Sequence, residues 1–172
     1  MLLLDDRGTG RSTPITHQTL ARLGSPQAQA DYLKLFRADA IVQDAELIRR
    51  ELLSEKGKWA ALGQSFGGFC VVRYLSAAAG GLKEAIITGG LPPLDRPVDD
   101  IYCLAALQAN TVPCAAAVYY DDMYVERIYS EESAAKIRGI KLWVTNEYEH
   151  NALRADGERV LDRLLWMLHG EV

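Results

Sequence analysis

The chain has 172 residues, 49% of them hydrophobic and 24% charged, and its formal net charge is −4. A chain of this length fits one globular domain, and its acidic balance argues against a nucleic-acid partner. No apolar run approaches the roughly 20 residues of a membrane span, and the start MLLLDD is too short and too acidic for a signal peptide. We therefore expect a soluble, cytoplasmic protein that binds neither nucleic acids nor membranes.

The first half of the chain alternates apolar runs with segments of helical period. An apolar run at 2–5 leads into the turn-rich sequence RGTGRST. The segment at 26–53 repeats apolar residues at helical spacing, which predicts one long helix or two short ones. A buried strand is predicted at 58–63, and a helix over 67–79 follows it directly.

The second half continues this alternation. Further strands are predicted at 84–88, 114–119 and 140–145, with a helical segment at 130–139 before the last strand. The region 91–113 shows no clear period. Alternation of strands and helices predicts a parallel sheet with helices on both faces. Asp156 is predicted to cap a final helix, whose buried side carries Val160, Leu161, Leu164, Leu165 and Leu168.

The three cysteines give no sign of a metal site or of a disulfide framework. Cys70, Cys103 and Cys114 lack the spacing of metal ligands, and an odd number argues against pairing. We expect reduced, buried thiols. The sequence predicts neither a metal nor a cofactor.

A cluster of glycines surrounds Ser65 in the sequence GQSFGG. Ser65 follows a predicted strand and precedes a predicted helix, which is the context of the nucleophile elbow G-x-S-x-G. The glycines two residues on either side of the serine are predicted to lie too close for side chains, and the next glycine lets the helix pack closely. The N–H of Phe66 would then face a developing oxyanion. A glycine-rich turn with an incidental serine is the alternative. The elbow residues are Gly63, Gln64, Gly67 and Gly68.

The loop RGTGRS at 7–12 offers a competing interpretation as a phosphate cradle. A P-loop requires G-x-x-x-x-G-K-[ST], whereas these glycines lie two apart and are followed by Arg11. Pro14 also follows too soon for a helix to start at Ser12. The sequence therefore does not favour nucleotide binding.

A serine nucleophile needs a base, and the base needs an orienting acid. Of the three histidines, His169 ends the last helix and His17 has no strand to hold it, whereas His150 follows the last strand within a few residues. Asp121 and Asp122 come just after the preceding strand, so they lie at the same edge of a parallel sheet. The order serine, aspartate, histidine predicts a catalytic triad in which either aspartate could be the acid.

With these residues in place, the chain resembles the proline iminopeptidases (prolyl aminopeptidases) of the α/β-hydrolase fold. DDRGTGRS matches that family's loop D-x-R-G-x-G-x-S, and GQSFGG matches its elbow G-x-S-x-G-G, followed by TGGLPP. YYDDMYVE and EYEHNALRADG resemble the segments that hold the family's acid and histidine. The resemblance covers most of 2–94 and 114–172.

This resemblance implies an enzyme that releases N-terminal proline from short peptides through an acyl-enzyme, with no metal or cofactor. It implies Ser65 as nucleophile, His150 as base and Asp122 as the acid that orients His150. Asp121 is the less favoured acid, because the family's acid stands at the end of its tyrosine–aspartate pair.

The sequence also departs from the family. Family members begin with further strands and a His-Gly-Gly-Pro-Gly-like loop, and they insert a helical cap after GGLPP. Here we expect a single, incomplete α/β-hydrolase domain over 1–172, with a shortened linker at about 95–113 in place of the cap. The run at 2–5 would then either pair differently or lie loose. Weak peptidase activity is expected, and the alternatives are an inactive binding protein and a small esterase.

Overall fold

A computed structural model of the chain describes residues 1–94 and 101–170. At its centre is a four-stranded sheet with the order β1-β2-β3-β4, in which every neighbouring pair runs parallel. The predicted parallel sheet and its four predicted strands are confirmed. The strands are β1 Trp59–Gln64, β2 Leu82–Thr88, β3 Cys114–Tyr119 and β4 Ile140–Thr145.

The apolar run at the start of the chain forms no strand. Residues 1–6 are irregular, and Leu3 keeps 83% of its surface exposed. Of the two outcomes expected for this run, the structure shows the second, in which it lies loose. β1 is consequently an edge of the described sheet, and Leu62 in its middle remains exposed.

Seven α-helices connect and flank the strands of the described part of the chain. The segment at 26–53 forms two helices rather than one, and a short 3₁₀ turn at Lys34–Phe36 separates them. None of the helices in the described ranges is long and apolar enough to cross a membrane. The helices are α1 His17–Ala21, α2 Pro26–Leu33, α3 Ala38–Leu53, α4 Phe66–Ala77, α5 Leu104–Gln108, α6 Arg127–Ala134 and α7 Ala152–His169.

Helices cover both faces of the sheet, and the side chains of β3 alternate between these faces. Ala116 and Val118 face a core that α4, α5 and α6 also line, whereas Ala115, Ala117 and Tyr119 face a second core formed with α7. β3 is buried along its whole length, because it lies between two strands and two helical layers. This packing fixes the strand ends that carry the site.

The last helix begins earlier than the sequence predicted. α7 starts at Ala152, and Asp156 interrupts it with a non-helical backbone (φ −154°, ψ 61°). Asp156 therefore marks a break inside the helix rather than its first cap. Its carboxylate accepts a hydrogen bond from the Tyr148 hydroxyl at 2.8 Å, which ties the break to the loop before α7.

Packing of α7 is the first feature that a mutation can test. Leu164 is fully buried between α7 and the sheet. Leu164→Ala should lower the free energy of unfolding by about 2–5 kcal/mol, because the truncated side chain leaves a cavity. Leu47→Ala removes a leucine of α3 that is 64% exposed, and it should change the free energy by less than about 0.5 kcal/mol. Urea titration followed by circular dichroism measures both, and equal effects would contradict this packing.

The region 91–113 contains a helix that the sequence does not indicate. Its five-residue helix α5 is too short to show a period, yet Leu107 within it is fully buried. The Leu107 carbonyl also accepts the backbone N–H of Arg138 at 3.0 Å. Residues 95–100 lie outside the described part of the chain, so the predicted linker at about 95–113 is described only from residue 101 onward.

All three cysteines are free thiols, but only two of them are buried. Burial raises the pKa of Cys70 to about 12 and that of Cys114 to about 11. Cys103 is exposed just before α5, so the expectation of burial is wrong for this residue. The segment around Cys103 had no predicted element that could have placed it in the core.

Candidate active site

Ser65 lies in the turn between β1 and α4, as the elbow pattern predicts. Its backbone has φ 54° and ψ −121°, a conformation that non-glycine residues rarely adopt. The turn is fixed by hydrogen bonds on both sides. The Ser65 N–H donates to the Thr88 carbonyl at 2.9 Å, and the Ser65 carbonyl accepts the Gly68 N–H at 2.8 Å. The hydroxyl is thereby held above the end of the sheet.

The elbow glycines have different reasons to be glycine. A β-carbon at Gly63 would lie 2.2 Å from the Gly67 carbonyl oxygen, and one at Gly68 would lie 2.6 Å from the Gly90 carbonyl oxygen. A β-carbon at Gly67 would meet nothing within 4 Å. The prediction that crowding requires glycine is therefore right for Gly63 and wrong for Gly67. The β-carbon position of Gly67, in the first turn of α4, faces open space.

The structure brings His150 to Ser65 although the two residues follow strands at opposite edges of the described sheet. His150 Nε2 lies 2.9 Å from Ser65 Oγ, and His150 Nδ1 lies 2.8 Å from Asp122 Oδ2. The Asp122 carboxylate accepts a hydrogen bond from Nδ1–H, so that Nε2 carries no proton and can take one from the serine hydroxyl. The arrangement has the geometry of a serine–histidine–aspartate triad.

Asp122 rather than Asp121 reaches the histidine. The Asp122 side chain is only 1% exposed, whereas Asp121 is exposed to solvent. The second carboxylate oxygen of Asp122, Oδ1, accepts hydrogen bonds from the backbone N–H groups of Tyr124 at 2.8 Å and Val125 at 3.0 Å. Burial raises the pKa of the nearby Tyr119 to about 12, and the negative charge of Asp122 adds to this shift. Of the two aspartates that the spacing left open, Asp122 is the one placed to orient His150.

Sequence reasoning missed two neighbours of the triad. Gly89, the first residue after β2, has φ 54°, and a β-carbon there would lie 3.2 Å from His150 Nδ1 and 3.3 Å from Asp122 Oδ2. The glycine therefore leaves room for the histidine–aspartate pair to cross the end of β2. The ring of Tyr124 lies against the imidazole, with 4.8 Å between ring centroids. The sequence did offer a signal for Gly89, namely a glycine directly after a central strand.

The other candidate residues lie elsewhere. His17 begins α1, and His169 is exposed with Nε2 3.4 Å from Glu84 Oε1. In the loop RGTGRS, Arg7 binds Asp44 of α3 through two hydrogen bonds of 2.7 and 2.6 Å. This loop is thus fixed by a protein carboxylate. Within residues 1–94 and 101–170, no three His, Cys, Asp or Glu side chains are grouped so as to hold a metal ion.

Comparison with known proteins supports the resemblance noted in the sequence. No family model matches the chain. The chain is 57% identical over 102 residues to a proline iminopeptidase of Aeromonas sobria, a match that covers 59% of this chain and 24% of that protein. It is 47% identical over 115 residues to the proline iminopeptidase aneH of Aspergillus aculeatus, a match that covers 64% of this chain and 26% of that protein. The match thus spans about a quarter of the length of these curated relatives. The predicted resemblance to proline iminopeptidases is confirmed.

Solved structures share the fold at low sequence identity. BpoC of Mycobacterium tuberculosis H37Rv matches with a TM-score of 0.72 and 14% identity, covering 96% of this chain and 80% of that one. An α/β-fold family hydrolase from Bacillus anthracis matches with a TM-score of 0.60 and 16% identity, and the match covers 76% of this chain and 75% of that one. The α/β hydrolase MGS-MChE2, from a lagoon-sediment metagenome, matches with a TM-score of 0.63 and 14% identity, and the match covers 80% of this chain and 72% of that one. The predicted α/β-hydrolase fold is confirmed.

Proposed function

We propose that this chain is a serine hydrolase that releases N-terminal proline from peptides through an acyl-enzyme. The observation that carries the proposal is the pair of hydrogen bonds that joins Ser65 Oγ to His150 and His150 to the buried Asp122. The substrate class comes from the relatives, both of which are named proline iminopeptidases.

The proposed reaction proceeds in two steps. His150 Nε2 accepts the hydroxyl proton while Ser65 Oγ attacks the carbonyl carbon of the N-terminal prolyl residue. The N–H of Phe66 stabilises the oxyanion, because it stands at the start of α4 where first-turn N–H groups have no partner within the helix. His150 then donates its proton to the leaving amine. In the second step a water molecule, activated by His150, hydrolyses the prolyl ester.

The surroundings of the triad suit a small apolar group and favour slow turnover. Phe66 is 49% exposed beside Ser65, and Tyr124, which lies on the His150 ring, is 74% exposed. These rings supply apolar surface for a pyrrolidine ring. The same exposure admits water to the site, which weakens each electrostatic contact that stabilises the transition state. We therefore expect turnover below the common enzyme range of about 1–10³ per second.

A fluorophosphonate probe tests the nucleophile. The purified chain should form a covalent adduct that peptide mass spectrometry locates at Ser65, because the proposed triad activates that hydroxyl. Ser65→Ala should abolish labelling while leaving the circular dichroism spectrum unchanged. If the wild-type chain stays unlabelled, or if labelling persists in the alanine variant, the proposed nucleophile is wrong.

Three chromogenic substrates then test the specificity. Proline p-nitroanilide should be hydrolysed, whereas its N-acetylated form should not, because an aminopeptidase acts on a free terminal amine. p-Nitrophenyl acetate reports the serine chemistry without any requirement for proline. Ester hydrolysis together with inert prolyl amides would replace the peptidase proposal by that of a small esterase.

A further inference from the structure

The loop that carries His150 has to cross the end of the sheet. β4 ends at Thr145 and β1 ends at Gln64, with β2 and β3 between them. Since neighbouring strands lie about 4.8 Å apart, three spacings separate these two ends by about 14 Å. His150 nevertheless touches Ser65, so the loop 146–151 extends from one edge of the described sheet to the other.

Several contacts hold this loop at the edge from which it starts. The Glu147 N–H donates to Thr145 Oγ1 at 3.1 Å, and the Glu147 carboxylate pairs with Arg159 of α7 at 2.7 Å. The Tyr148 hydroxyl donates to Asp156. All of these partners lie in β4 or α7. They fix the beginning of the loop, and at its end the Glu149 and Asn151 carbonyls accept the N–H groups of Ala152 at 3.1 Å and Arg154 at 2.8 Å. None of these bonds uses the backbone carbonyl of His150 itself.

Two contacts connect His150 with the end of β1 and the elbow that follows it. One is the hydrogen bond of 2.9 Å between its Nε2 atom and Ser65 Oγ. The proton moves along this bond to Nε2 when the serine attacks, so the contact changes during the reaction. The other is a hydrogen bond of 3.2 Å from the side-chain amide of Gln64 to the backbone carbonyl of His150. This second contact does not involve the imidazole, so it can persist through every step of the reaction.

We propose that Gln64 is a positioning residue, which holds the backbone of His150 above the elbow through its side-chain amide. The inference rests on the proposed function. Because Gln64 directly precedes Ser65, one short segment then sets both the nucleophile and the place of its base. Asp122 and Tyr124 contact the imidazole ring, and Gly89 leaves room for it. Gln64 instead fixes the main chain from which the ring projects.

Three substitutions separate hydrogen bonding from packing. Gln64→Lys keeps an N–H donor, Gln64→Met removes the donor at similar length, and Gln64→Glu is isosteric but directs a carboxylate at the carbonyl oxygen. The rate constant for fluorophosphonate labelling of Ser65 should fall in the order wild type, Lys, Met, Glu. The methionine variant should react about two- to tenfold more slowly than wild type, the range expected for one exposed hydrogen bond. If Glu were tolerated best, the residue would act by its shape, and the proposal would be wrong.

A matched control and a second readout complete the test. Gln29 of α2 is half-buried, and its side-chain amide also donates to a backbone carbonyl, that of Gly24, at 3.3 Å. Gln29→Met should label at the wild-type rate. Hydrogen–deuterium exchange of a peptide containing residues 146–151 should be faster in Gln64→Met than in wild type or in Gln29→Met. The exchange measurement needs no reaction at Ser65, so it tests whether Gln64 holds the loop even if the wild-type chain is never labelled. Unchanged exchange would overturn the proposal.

Discussion

Asp122→Asn should lower the rate of Ser65 labelling by about 10³- to 10⁴-fold, the scale of loss on removing the acid of a serine–histidine–aspartate triad. The buried Asp122 carboxylate accepts the Nδ1–H of His150 at 2.8 Å and thereby keeps Nε2 free to accept the Ser65 proton. An asparagine amide can donate to Nδ1 instead, which favours the tautomer that carries its proton on Nε2. That tautomer cannot act as the base.

The neighbouring aspartate is a matched control for this prediction. Asp121→Asn removes the same charge one residue away, but from a side chain that is exposed to solvent. It should leave the labelling rate within about a factor of two, because exposed charges interact weakly through water. Thermal melts should show that both variants remain folded. Similar losses in the two variants would mean that Asp122 contributes only its charge, and no specific hydrogen bond to His150.

The sheet could be predicted from the sequence because its signals are local and strong. The runs that became β1 to β4 are apolar, short and bounded by turn residues, and their alternation with helices admits few arrangements. The run at 2–5 carries the same local signal and yet forms no strand. Whether an apolar run becomes a strand depends on finding a partner in the ladder, and local sequence does not contain that information.

The site shows the same division between local and distant information. Ser65 is placed by its own neighbours, and parallel topology brings the ends after β3 and β4 to one edge, so the triad could be predicted. Gly89 has its role because a side chain and a loop from elsewhere in the chain cross above it, where an added β-carbon would lie 3.2 Å from His150 Nδ1. The difference between Gly63 and Gly67 likewise depends on where their β-carbons would point in three dimensions. A motif cannot express that direction.

Gly63→Ala should reduce Ser65 labelling by at least about 10²-fold, whereas Gly67→Ala should label as wild type does. The alanine β-carbon at position 63 would lie 2.2 Å from the Gly67 carbonyl oxygen. That oxygen belongs to the backbone of the first turn of α4, so relief requires the elbow itself to open. A shift of about 1 Å in a reacting group can cost about 10² in rate.

The contrast with Gly67 separates crowding from the general effect of changing a glycine. At Gly67 the backbone is not left-handed, and the added β-carbon meets nothing within 4 Å. Because alanine is the better helix former at this position of α4, Gly67→Ala should also preserve or slightly raise the free energy of unfolding, by up to about 1 kcal/mol. Labelling rates and urea titrations of the two variants measure both effects. If Gly63→Ala were labelled at the wild-type rate, Ser65 would react without the tight turn. The elbow would then lose its proposed role in activating the serine.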